Sequence, residues 1–214
     1  MNGSHAMRTS HPHAWEREQL KIIFQYSLML FASLVLGWIL PRFFSQTLWQ
    51  EAYQALLHHI SPTDSPGDMP TLLKTAWMFS KPMLLCIGAV FVFSFSSLSC
   101  LITDGLLVYL GARTGCALSL LYAMLRTAND AALASPAILP FLFVLFRVAL
   151  AAMFLIFSVY MAKHSYRLRI YSREGRPLFH PKTLLTLIVH TALCATICFL
   201  LHFLYAYSIC LVSK

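Results

Sequence analysis

Five apolar stretches, at residues 22–44, 82–103, 105–125, 137–162 and 183–212, dictate what this chain can become. Each has about the 20 residues a helix needs to cross some 30 Å of hydrocarbon. In hydrocarbon only a helix or a closed barrel satisfies its own backbone. With 58% hydrophobic and 11% charged residues, the chain has too few polar side chains to cover a water-facing surface; soluble domains average about 25% charged. The expectation is an all-α, polytopic membrane bundle of five transmembrane helices, occupying residues 22–212 as a single domain. A cytoplasmic segment, 1–21, precedes it, and within that segment residues 1–7 read as a cloning remnant. The stretch at 22–44 is too long for the core of a cleaved signal peptide and reads as a retained anchor.

Segment 163–182 holds Lys163, Arg167, Arg169, Arg173, Arg176 and Lys182 against a single acid, Glu174. Loops on the cytoplasmic side keep Lys and Arg, so this loop lies inside. By alternation the N-terminus is also inside, while the C-terminus and the loops 45–81 and 126–136 are outside. The net charge of +8 is explained by that bias, which suits contact with anionic lipid and gives no reason to invoke nucleic acid. All six cysteines fall within the spans, where they serve as small apolar packing residues.

Within the first outer loop, Trp49, Tyr53, Leu56, Leu57 and Ile60 recur at helical spacing, predicting an amphipathic interfacial helix over 46–60. A second amphipathic piece over 70–80 sets Leu73, Ala76 and Trp77 on one side. Trp49, Tyr53, Leu56, Leu57 and Trp77 form either a partner-binding surface or a seat for the bundle. Between the second and third spans, Asp104-Gly105 predicts a tight turn over 102–105.

Polar residues inside the spans are few, and each has a reason to be costly. Gly111, Gly115 and Ser119 are four apart and let helix backbones approach closely in lipid. Arg113 and Arg147 lie well within spans, where a cation costs about 2.5–3.5 kcal/mol on insertion scales. Asp104 is the one acid near a span, so the two arginines exceed their possible partners. They either bind an anionic group or pair structurally. Ser94, Ser96, Ser97 and Ser99 bend their helix or turn a polar face to the arginines. His190, Cys194, Cys198 and His202 are spaced by four, which suits zinc or copper(I) chemistry. Successive steps of four drift around the helix, so no full ligand set forms, and no metal and no other cofactor is expected.

Neither HExxH nor GxSxG occurs, no pair of intramembrane carboxylates exists, and no glycine-rich phosphate loop is present. An enzyme is therefore not expected. The layout resembles the stage II sporulation protein M family. The resemblance is carried by five spans with an amphipathic outer loop, by Lys81 before the second span, and by Gly111 with Gly115 in the third. It implies a non-enzymatic scaffold in the cytoplasmic membrane of a bacterium, holding protein partners such as cell-wall hydrolases through its outer loop. The alternative is a small transporter or permease-like subunit for an anionic solute or lipid, with Arg113 and Arg147 on its path.

Overall fold

The computed structural model describes residues 12–60, 69–96, 98–127, 138–173 and 181–212. Among them are six α-helices: α1 (Pro12–Ile39), α2 (Gln46–Ile60), α3 (Met69–Phe93), α4 (Ser99–Thr127), α5 (Ile138–Arg173) and α6 (Pro181–Val212). All but α2 are long and apolar enough to cross a membrane, over Leu20–Phe43, Met69–Phe93, Ser99–Arg126, Leu139–Tyr166 and Lys182–Leu211. The fold is an all-α, multi-pass bundle. Residues 1–11 of the expected 1–21 segment, and all but the first two residues of the expected 126–136 loop, lie outside the described residues.

Pro41 ends α1 through a 3₁₀ turn, Leu40–Phe43. Ser45 then caps α2: its hydroxyl accepts a hydrogen bond from the Leu48 N–H at 3.3 Å, the usual way an orphan amide at a helix start is satisfied. The helix α2 lies across α4 and α5 at one end of the bundle. Its apolar stripe, Trp49, Tyr53 and Leu56, packs on Leu120, Phe143 and Tyr205. Leu57 belongs to α2, but its side chain is outside the described set.

Three expected boundaries differ. The helical ladder breaks between Phe93 and Ser99, with turn or bend backbone at residues 94–96 and 98, and Asp104-Gly105 sits inside α4. Serine hydroxyls explain the shift. Ser94 donates to the Phe91 carbonyl at 2.6 Å and Ser96 to the Phe93 carbonyl at 3.0 Å, while Ser96 also accepts from the Leu98 N–H. These local bonds compete with the helical ladder and end it, whereas Gly105 is tolerated in mid-helix. Ser97 is outside the described residues.

The piece at 70–80 is the start of α3, and Pro82 lies within that helix. Membrane helices tolerate internal proline; Pro82 frees the Met78 carbonyl one turn earlier, and beside it the buried Ser80 hydroxyl donates to the Trp77 carbonyl at 3.1 Å. Finally, the basic segment is largely helical. Lys163, Arg167, Arg169 and Arg173 extend α5, and Lys182 lies in the first turn of α6. Arg176 lies outside the described residues.

The helix α1 packs along α4, α3 along α6, and α5 touches all the others. Along the α1–α4 seam a Cβ at Gly37 would overlap the Ala112 carbonyl oxygen. One at Gly111 would overlap the Ser33 hydroxyl, and one at Gly115 the Leu34 carbonyl oxygen. Glycine is required there because backbone meets backbone. Two large apolar clusters, and a small one of Leu72, Ala206 and Cys210, fill the bundle among the described residues. Of the large ones, one joins Ile87, Leu107, Phe154 and Met161, and the other joins Leu56, Leu120, Phe143 and Tyr205 beneath α2.

Candidate functional site

Between the two clusters lies a polar layer. On α4 it falls after Leu107 and before Leu120, on α5 between Phe143 and Leu150, and on α6 between Cys198 and Tyr205. Those positions are Arg113, Arg147 and His202. Arg113 is 14 residues from either end of α4, about 20 Å at the helical rise.

Arg113, Thr114, Arg147, His202 and Tyr205 line one enclosed cavity of about 40 Å³, with Pro82 and Phe146 among its walls. That is room for a water molecule or two. The same two arginines also line a groove of about 420 Å³ beneath α2, walled by Leu40, Ala52, Leu56, Tyr109 and Cys116. Among the described residues no carboxylate lines either space. The Arg147 Nε is sealed from solvent and donates no hydrogen bond among the described residues. Its guanidinium carbon instead rests 4.9 Å from the centroid of the Phe143 ring, a cation–π contact. His202 is buried; its Nδ1 donates to the Cys198 carbonyl at 2.8 Å, and its ring meets Phe146 edge-on at 4.8 Å.

Asp104, the one acid considered as a partner for the arginines, does not share their face of α4. It precedes Arg113 by nine residues on one helix, half a turn out of phase. That places it in line with Gly111, on the face toward α1. Its Oδ1 is buried without a hydrogen-bond partner among the described residues. Gly111 and Gly115 lie on the α1–α4 seam, and Ser119 borders a cleft near Trp38. Trp77 is exposed on α3.

The α6 stripe does not converge on an ion. His190 stacks on Tyr160 at 4.2 Å and hydrogen-bonds its own helix at the Thr186 carbonyl. Cys194 and Cys198 are buried in the apolar cluster. Among the described residues no three His, Cys, Asp or Glu side chains gather as a metal site.

The arginines are legible in sequence by their cost, but their company is not. The pairing of Phe143 with Arg147 was available as an i, i+4 spacing on one helix face. The contribution of His202 was hidden by its place in the cysteine stripe. Compared with protein-family models, curated proteins and solved structures, the chain matches none. The chemistry of the cavity is therefore the guide to function.

Proposed function

We propose that this multi-pass membrane protein binds an organic anion inside its bundle, as a transporter or permease-like subunit. The observation that carries the reading is the pair Arg113 and Arg147, lining a shared cavity and groove that no carboxylate lines among the described residues. Burying charge without a counter-charge is expensive, and an ionisable residue within a span is a functional candidate by default. A bound anion offsets that cost. The groove wall is apolar apart from the arginines and Tyr109, so the favoured ligand has a carboxylate or phosphate head on a hydrocarbon body.

In this reading the protein sits in a cytoplasmic membrane with its N-terminus inside and the α2 end outside, following its Lys and Arg bias. An envelope scaffold of the sporulation protein M type, holding cell-wall hydrolases, ranks second. Its partner surface would be α2, and the Trp49–Tyr53–Leu56 face of α2 is already packed within the chain.

The test is titration of ω-bromo-octanoate into the protein in zwitterionic nanodiscs, followed by quenching of tryptophan fluorescence. Saturable binding should weaken at least about tenfold in Arg113→Leu and in Arg147→Leu, as expected when a charge-assisted contact is lost. Lysine at either position should retain part of it. Undiminished binding in both leucine variants would sink the reading.

A further inference from the structure

We propose that the anion reaches the arginine pair from the α2 end of the bundle, along one stripe of α4, with Arg42 and Arg126 as its first station. The inference rests on the function proposed above and adds to it a route and a second pair of arginines.

The first observation is a second cleft of about 480 Å³, walled by Trp38, Trp49 and Tyr122 and carrying Arg42 and Arg126. Again no carboxylate lines it among the described residues. Arg126 is near the end of α4, and Arg42 is in the 3₁₀ turn that follows α1. That turn touches α4 directly, and the backbone contacts of Gly37 and Gly115 hold α1, just before it, against α4. Both arginines are exposed, as an entrance requires.

The second observation is continuity. Leu120 borders both the cleft and the deeper groove. On α4 the linings run Arg126, Ala123, Leu120, Cys116, Arg113 and Tyr109. Those steps of three and four keep to one side of a helix. Between the arginines the stripe covers 13 residues, about 20 Å. The roof is equally continuous: Trp49 covers the cleft, while Ala52 and Leu56 of the same helix cover the groove. Small side chains at Ala52, Ala55, Ala112 and Ala117 keep the groove open.

The third observation is the far side of the arginine layer. There Ile87, Leu107 and Phe154 are almost wholly buried in contact with one another. The path is thus closed beyond the pair and open toward α2. Two like-charged stations with low-dielectric walls concentrate anions and raise their capture rate.

The experiment is stopped-flow quenching by ω-bromo-octanoate, again in zwitterionic nanodiscs. In the Arg42→Gln/Arg126→Gln double variant association should slow about tenfold and lose its salt dependence, while binding at saturation persists. Ala52→Trp, which fills the groove, should slow it as well. Wild-type rates in both variants would overturn the route yet leave the Arg113–Arg147 site standing. Unchanged saturation binding in Arg113→Leu/Arg147→Leu would overturn the site and the route with it. Inorganic phosphate is the comparison ligand: competition by phosphate as strong as by octanoate would overturn the hydrocarbon requirement of the route.

Discussion

The Arg147 guanidinium carbon lies 4.9 Å from the centre of the Phe143 ring, one turn earlier on α5. The ring face takes part of the role that a carboxylate would otherwise fill, and it leaves the outward directions of the cation available to a ligand. A desolvated cation–π pair is worth about 2 kcal/mol. In a cycle of Arg147→Leu, Phe143→Leu and the double variant, unfolding in detergent should give a coupling of about 1–2 kcal/mol. Strict additivity would show that the two side chains do not support each other.

The α1–α4 seam makes a sharper steric prediction. Gly115→Leu drives a side chain into the Leu34 carbonyl and toward the Trp38 nitrogen, 2.8 Å from the position of its Cβ. Both are backbone atoms that cannot rotate away. The variant should lose about 3 kcal/mol, at the upper end of overpacking costs, seen as a lowered midpoint of thermal unfolding. Gly88 meets nothing within 4 Å, so Gly88→Ala should be neutral or gain up to about 1 kcal/mol. Equal effects of the two changes would refute the seam as described.

The spans were legible because hydrocarbon imposes a length and a composition that few other structures share. Where each span ends was less so. Asp104-Gly105 carries a turn signal calibrated on water-exposed chain, but a helix in lipid keeps its ladder unless something else satisfies the backbone. Ser94 and Ser96 do that; the run of serines signals a bend in sequence, but not that the helix stops there. Pro82 misleads in the same way, as a helix start that is a helix interior. For the site, Arg113 and Arg147 stand out singly by cost. Their convergence depends on how α4 and α5 are rotated about each other, and no local pattern encodes that. Arg42 and Arg126 carry no motif in the sequence, and only the linings along α4 relate them to the interior.

The position of the turn can be read chemically. In a background with all six cysteines replaced, Ser96→Cys should react with a membrane-impermeant maleimide added from the N-terminal side. Gly105→Cys lies nine residues further along, about 13 Å deeper in the span, and should stay unlabelled. Strong labelling at 105 would restore a turn at that position. Labelling of 96 from the opposite side would instead invert the proposed orientation.

At the end of the bundle away from α2, Ser165 of α5 donates to the Ser94 carbonyl at 2.7 Å and lies 2.9 Å from the Ser99 hydroxyl. All three serines are buried. The pair of contacts ties the α3–α4 turn and the first residue of α4 to α5. Ser165→Ala strands a carbonyl and a hydroxyl at once. Leaving a buried group unsatisfied costs about 1–3 kcal/mol in water-soluble cores, whereas hydrogen bonds between membrane helices average nearer 0.6 kcal/mol. With two groups stranded, a loss of about 1 kcal/mol is expected in equilibrium unfolding. Ser208 supplies the control, because its exposed hydroxyl bonds only the Leu204 carbonyl of its own helix. Ser208→Ala should stay within about 0.5 kcal/mol of wild type, as surface changes do. If the two alanine variants are equally mild, the serine contacts do not clamp the turn, and the packing of Leu107 and Phe154 alone holds it in place.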